Sequence, residues 1–288
     1  AAHAQTFHVR NAPNGGDFAR AVDLSDTAPD GFRRVVGYSG FYDGSDLRTF
    51  EWWTPSPTTS AASFHGATPY GGWLTKFPSG VDSGAIWLCG TGDTFIPTPP
   101  FGSTIGPRAY RETVNSGVNT TQVPMLAGMT FSEALGISGD GDFVVGTQWN
   151  QFTQRAFRYR FSANQLQDLG TLSGQPDAVA RAVSADGGTV VGRSGALAFS
   201  WRPAEGMLSL GALPGQVAAV ATCVAANGLT IAGTSNNGLD RGFRWSPIVG
   251  MQQLPMLPGG LQLRPTAMDA NGQVIAGTSI DGASQGTP

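Results

Sequence analysis

Val183-Ser-Ala-Asp-Gly-Gly-Thr-Val-Val-Gly192 is a hairpin, and the chain repeats it. Ile137-Ser-Gly-Asp-Gly-Asp-Phe-Val-Val-Gly146 precedes it. Val224-Ala-Ala-Asn-Gly-Leu-Thr-Ile-Ala-Gly233 and Met268-Asp-Ala-Asn-Gly-Gln-Val-Ile-Ala-Gly277 follow. Each copy runs apolar residue, small residue, Asp-Gly or Asn-Gly turn, β-branched run and glycine. Asp-Gly and Asn-Gly tolerate the positive φ that tight hairpin turns require. Self-similarity at a few tens of residues marks a repeat architecture.

Working outward from Asp186-Gly187, Ala180-Arg-Ala-Val-Ser184 reads as one strand and Thr189-Val-Val191 as the next. Adjacent valines point to opposite faces of a strand, so both faces of this one must be covered. Gly192 then marks a place where another backbone comes close. Leu197-Ala-Phe-Ser-Trp-Arg202 is a third strand, with Phe199 and Trp201 on one face. Met207-Leu-Ser-Leu-Gly-Ala-Leu213 is a fourth, and Pro214-Gly215 leads into the next unit. The third strand recurs as Arg155-Ala-Phe-Arg-Tyr-Arg160 and Arg241-Gly-Phe-Arg-Trp-Ser246. The fourth recurs as Leu166-Gln-Asp-Leu-Gly-Thr-Leu172 and Met251-Gln-Gln-Leu-Pro-Met-Leu257. Four short antiparallel strands in about 40 residues, apolar on both faces, describe a propeller blade.

The first half carries the same unit, stretched. Val35-Val-Gly37 precedes Phe50-Glu-Trp52, and Leu88-Cys-Gly90 precedes Ala109-Tyr-Arg111. Marker glycines therefore stand at 37, 90, 146, 192, 233 and 277, with spacings of 53, 56, 46, 41 and 44. The expected fold is all-β: a single domain over 1–288, a six-bladed β-propeller of four-stranded antiparallel blades. Residues 54–80 and 92–122 read as blade insertions. After Gly277 no Phe-x-Trp strand follows, while Thr6-Phe-His-Val-Arg10 reads as an outer strand without inner partners. The expectation is that this N-terminal strand closes the last blade; an open, edge-exposed stack is the alternative.

Ala-Phe-Arg-Tyr/Trp, then Leu-Gly-Thr-Leu-x-Gly, then Val-Ser-x-Asp-Gly-x-Val-Val-Gly resembles the HAF repeat of predicted extracellular bacterial proteins. The resemblance covers 134–279 well and 19–130 loosely. It implies an exported repeat protein and carries no catalytic residues.

Composition narrows the function classes. The 288 residues carry net charge −3, 13% charged residues, 41 glycines and 19 prolines. No stretch reaches the ~18 apolar residues of a membrane span. An acidic balance without a basic patch argues against nucleic acid as a partner. Ala2-His3-Ala4 has the form of a signal-peptidase site, so 1–4 reads as the scar of an exported precursor, with chance in an Ala-rich terminus as the alternative. The expected location is extracellular or at the cell surface, with the periplasm as a further option. Cys89 and Cys223 fall in different units and read as buried free thiols.

Because the repeat accounts for its own residues, function is sought where it is stretched. Residues 41–110 hold 13 of the chain's 28 aromatics. Trp53, Tyr70, Trp73, Phe95 and Phe101 are the candidate anchors for a partner or a glycan, since aromatics bring much contact area at little entropic cost. A loop packed down by its own aromatics is the other reading. The partner expected is another protein or a surface polysaccharide, or copies of the chain itself, met through the 54–80 and 92–122 loops.

No cofactor, metal or catalytic set is assigned. Asp140 and Asp142 have a calcium-like spacing that turn chemistry also explains. No nucleophile elbow or zinc motif appears. The expected role is a non-enzymatic structural or binding module. The alternative is a carbohydrate-active enzyme or lectin using the same aromatic-rich loops, with acids drawn from Asp43, Asp46, Glu51, Asp82, Asp93 and Glu112. Arg158, Arg202 and Arg244 recur in or beside the third strand and read as structural charges.

Overall fold

The computed structural model describes residues 18–24, 33–40, 48–56, 59–65, 73–82, 87–98, 102–113 and 120–281. Throughout these the chain is all-β. It divides into two compact units, 1–121 and 122–288.

In the first unit, β1 (Phe18–Leu24), β2 (Arg33–Gly40), β3 (Arg48–Ser56) and β4 (Thr59–His65) form a four-stranded sheet in chain order. A second sheet holds β5 (Trp73–Val81), β6 (Trp87–Thr98) and β7 (Gly102–Thr113), with the two-residue β8 (Thr121–Gln122) at the division. The spans 54–80 and 92–122 are thus largely strand, not the loop insertions expected. The Thr/Ser/Ala sequence of β4 lacks the leucines of the later fourth strands, which hid it. Thr6–Arg10, and with it the expected closing strand, lies outside the described residues.

The second unit repeats the meander. One sheet is β9 (Phe131–Ile137), β10 (Phe143–Trp149), β11 (Gln154–Arg160) and β12 (Gln165–Asp168). The next is β13 (Ala178–Val183), β14 (Val190–Ser194), β15 (Leu197–Arg202) and β16 (Gly206–Gly211). A third is β17 (Ala218–Val224), β18 (Ile231–Asn236), β19 (Asp240–Ser246) and β20 (Gly250–Gln253). Among the described residues the last sheet has two strands, β21 (Gly260–Met268) and β22 (Ile275–Asp281).

The marker glycines have one structural cause. In all six sheets the glycine of the second strand pairs with a first-strand residue next to a β-bulge: Ala21, Pro78, Ala134, Ala180, Ala221 and Pro265. A bulge turns a carbonyl toward the partner strand. A Cβ at Gly192 would stand 2.0 Å from the Val179 carbonyl oxygen, and at Gly146 and Gly233 the clash is the same. On the other side the glycine faces an aromatic of the third strand. The pairs are Gly37 with Phe50, Gly90 with Tyr110, Gly146 with Phe157, Gly192 with Phe199 and Gly233 with Phe243.

Both faces of the second strand are covered, as the adjacent valines require. Val190 packs with Val145, Leu169, Leu172, Phe199 and Trp201 between the β9–β12 and β13–β16 sheets. Val191 turns the other way, to Leu210, Leu213, Ile231 and Phe243. Each fully buried Phe contributes roughly 2–3 kcal/mol of transfer free energy.

Hydrogen bonds then lock sheet to sheet. The Gly139 N–H donates to Ala185 O (3.0 Å), Ala185 to Ala226 (3.1 Å) and Ala226 to Ala270 (2.9 Å). Within the hairpin turns, the Ser184 hydroxyl donates to Asp186 Oδ1 at 2.6 Å while its oxygen accepts the Thr189 N–H at 2.8 Å; Ser138, Asp140 and Phe143 repeat the pattern. Gly187, at φ 70°, leaves room for the Phe143 ring of the neighbouring sheet.

Two outcomes follow from these contacts. Gly192→Ala forces the bulged strand away and is expected to cost roughly 3 kcal/mol in denaturant unfolding, with retained thiol burial and m-value showing the fold intact. The Asp186 carboxyl is held below its ordinary range by the Ser184 hydroxyl and then the Gly188 N–H. A depressed folded pKa means the unfolded chain takes up the proton first as pH falls. Stability from this group is therefore present above about pH 4 and lost as pH drops through the folded value. Asp186→Asn keeps the acceptor oxygen and should flatten the loss of stability between pH 5 and 2 in acid-unfolding curves, relative to the parent.

Candidate partner-binding surface

β6 and β7 are 12 residues each, against five to seven for the second and third strands of the later sheets. The extra length lies at one end. β5 begins at Trp73, opposite Thr94, and beyond that point, among the described residues, β6 pairs with β7 alone. Phe95 faces Ile105, Ile96 faces Thr104, Pro97 faces Ser103 and Thr98 faces Gly102. The result is a two-stranded ribbon of apolar and β-branched residues, continuing the sheet past its first strand.

Of the five anchors expected, two fall in this sheet. Trp73 opens β5 opposite Thr94, so Phe95, the next residue of β6, lies on the other face of the sheet. Trp53 is in β3 of the other sheet, paired with Arg34 and Ala61. Tyr70 and Phe101 lie outside the described residues. Ile96 and Ile105 went unmarked in the sequence, although Thr-Phe-Ile-Pro-Thr and Ser-Thr-Ile alternate as strands do.

The base of this sheet is packed. Tyr110 and Cys89 are fully buried. Burial, then the nearby Glu112 and Cys89, pushes the Tyr110 phenol well above its usual pKa. Arg111 lies over the Trp87 ring at 3.9 Å. Both cysteines are buried, with no disulfide between them, and burial raises the Cys223 thiol to about 11.

The acids considered for glycoside chemistry divide. Asp82 is buried and its Oδ1 accepts the Trp87 N–H at 2.9 Å, closing the β5–β6 turn. Glu112 is buried and accepts the Thr120 hydroxyl at 2.8 Å. Glu51 and Asp93 are in β3 and β6, and Asp43 and Asp46 fall outside the described residues. Asp140 and Asp142 serve turns: Asp142 accepts from Arg160 Nε (2.9 Å) and from the Ser162 N–H and hydroxyl.

Two of the three recurring arginines act between sheets, and the third, Arg244, is exposed. Arg158 donates to Gly187 O at 2.8 Å and lies 3.9 Å over the Phe143 ring; Arg202 donates to Gly228 O at 3.0 Å. Arg202 also pairs with Glu205 at 3.5 Å, whereas Asp168 accepts the Gly170 N–H in its own turn. A second recurring group was missed: the polar residue two positions after the marker glycine. Gln148 holds Leu126 N and Pro124 O, Ser194 holds Leu172 N and Asp177 O, and Ser235 holds Leu213 N and Ala218 O. Gly-x-Ser in the repeat was its signal.

Solved structures share this architecture. The putative TolB from Agrobacterium tumefaciens is 12% identical, with a TM-score of 0.55 and 91% of each chain covered. The fold is all-β and propeller-like. A puromycin-hydrolyzing peptidase from Mycobacterium tuberculosis is 14% identical with a TM-score of 0.53, covering 92% of this chain and 44% of that one. TolB from Acinetobacter baumannii is 14% identical with a TM-score of 0.48, covering 79% of this chain. The chain spans about half of that TolB's length (52%). At these identities the likeness is one of fold. No protein-family model and no curated protein matches the chain. Among the described residues no helix is long and apolar enough to cross a membrane.

Proposed function

We propose that the chain is an exported, non-enzymatic binding module. It docks another protein through the β6–β7 ribbon, with Trp53, Tyr70, Trp73, Phe95 and Phe101 as anchors. The ribbon carries this reading: among the described residues, four register pairs of β6 and β7 extend beyond the start of the first strand, more than the later sheets use. An extended apolar ribbon offers backbone groups and aromatic area together, the combination that strand-adding partners use. The propeller-like neighbours support a module of this kind. The peptidase likeness covers 44% of that protein and, at 14% identity, is one of fold alone.

Six marker glycines support a count of six blades. The two strands present beside Gly277 support completion of the last blade with the N-terminal strand, Thr6–Arg10, as its outer member. Low charge and a Ser/Thr/Gly-rich composition support an extracellular or cell-surface setting, in a larger assembly or alone. Against the carbohydrate-active alternative, Asp82 and Glu112 are already committed to structural hydrogen bonds.

Site-specific photo-crosslinking tests the reading. A photoreactive phenylalanine analogue at position 95, in cells of the native source, should yield a discrete protein adduct, and one at the exposed Leu208 should not. Trp73→Ala with Phe95→Ala should reduce recovery of that partner at least about tenfold. Equal adducts at both positions, or none at 95, contradict it.

A further inference from the structure

Among the described residues the chain has three Asn-Gly steps, Asn227-Gly228, Asn237-Gly238 and Asn271-Gly272. All three asparagines are exposed. Such a step is chemically labile. The glycine nitrogen can attack the asparagine side chain, and a residue without a Cβ rotates easily into the attacking position. The fold holds the three steps differently.

Gly228 and Gly272 are pinned. They are the turn glycines of the β17–β18 and β21–β22 hairpins, and both are buried. A Cβ at Gly228 would stand 2.3 Å from Thr189 Oγ1 of the preceding sheet, and one at Gly272 would stand 2.7 Å from Thr230 Cβ. The Gly228 N–H donates to Ala225 O at 2.9 Å and the Gly272 N–H to Asp269 O at 3.0 Å. Arg202 holds the Gly228 carbonyl as well. Asn227 Oδ1 accepts the Leu229 N–H and Asn271 Oδ1 accepts the Gln273 N–H, both at 3.0 Å. Turning either glycine toward its asparagine means lifting the whole hairpin turn off the neighbouring sheet. Asp140 and Asp186 hold this position in the earlier repeats, so turn chemistry alone accounts for Asn227 and Asn271.

Gly238 is not pinned. It lies in the β18–β19 turn, exposed and at φ 88°, and beyond its chain neighbours no atom comes within 4 Å of where its Cβ would be. Its N–H donates only to a side-chain oxygen, Asn236 Oδ1, at 2.9 Å. Asn237 also has a task in the fold. Its Nδ2 donates to Gly215 O at 3.0 Å and straps this turn to the connection between β16 and β17. Asn150 Nδ2 makes the matching strap to Gly128 O at 2.8 Å, but there Gln151 follows instead of glycine.

We propose that Asn237 is a site of spontaneous deamidation, and that the change releases its strap. The Gly238 nitrogen gives up its proton and bonds to Asn237 Cγ, closing a succinimide ring. Nδ2 takes up that proton and leaves as ammonia. Water then adds to one of the two ring carbonyls, breaking its bond to nitrogen and leaving an aspartyl or an isoaspartyl link. A carboxylate at this position has no hydrogen to donate and turns an acceptor toward the Gly215 carbonyl oxygen. The isoaspartyl form also adds a methylene to the main chain at the turn. The strap at Asn150 persists, so ageing loosens one sheet and spares another.

Peptide mapping by mass spectrometry, after incubating the whole folded chain in warm, mildly alkaline buffer, tests this. The Asn237 peptide should acquire aspartyl and isoaspartyl forms at least about tenfold faster than the Asn227, Asn271 and Asn150 peptides. In urea the three Asn-Gly steps should converge on one rate, since the fold no longer distinguishes them. Gly238→Ala, at a position with open space, should slow the change at 237 by a similar factor. Native-state hydrogen exchange reads the strap: the Val217 N–H donates to Asn236 O beside it, and should exchange faster after conversion while Ala185 stays protected. Equal rates at 227, 237 and 271 in the folded chain, or no slowing by Gly238→Ala, would overturn the site. Unchanged exchange at Val217 in the converted protein would overturn the release of the strap.

Discussion

The second unit hangs on a run of three backbone hydrogen bonds that pass from sheet to sheet, Gly139 to Ala185 to Ala226 to Ala270. Each is an ordinary amide bond worth about 1 kcal/mol net. Its importance is geometric. It fixes the distance between neighbouring sheets at the first-strand turn, and only small residues fit there. A Cβ on Gly139 would lie 3.0 Å from the Ala185 Cβ. With that spacing set, Phe143 reaches Gly187, Thr189 reaches Gly228 and Thr230 reaches Gly272. Arg158 and Arg202 reach the carbonyls of two of those same glycines.

The same spacing defines the aromatic compartments. A strand pair that cannot move apart leaves a space of fixed size, and Phe-x-Trp of the third strand fills it. The marker glycine makes the fit possible on both sides, since the bulged carbonyl and the aromatic ring converge on its Cα; at Gly233 the Phe243 ring stands 2.8 Å from where a Cβ would be. The β6–β7 ribbon is strand beyond what the other sheets use among the described residues.

Much of the second unit was legible because its signals are local. Asp186-Gly187 declared the turn, Val190-Val191 declared two covered faces, and Phe199 with Trp201 declared a shared face. What escaped was set by neighbours. The bulges at the first strand carry no residue signature, since the extra residue is Val22 in one sheet, Ser79 in another and Thr222 in a third. The sheet-to-sheet hydrogen bonds leave only a preference for small residues at 139, 185, 226 and 270. In the first unit, Gly/Pro/Ser/Thr content read as loop where Thr59–His65 and residues 102–108 are strand, because pairing with β3 and β6 overrode weak local propensity. Asp82 and Glu112 looked like candidate acids until their burial and partners were seen. Trp73 and Phe95 were singled out for their aromaticity, but their places, on neighbouring strands and opposite faces, depend on a strand register no composition reveals.

Native-state hydrogen exchange at Ala185 and Ala226 tests the central constraint most directly. If the sheet-to-sheet bonds hold the unit together, these two amides exchange only through global unfolding, with the same free energy as the interior amides of β14 and β18. Exchange of Ala185 and Ala226 at the rate of exposed amides, while β14 and β18 remain protected, would contradict the account.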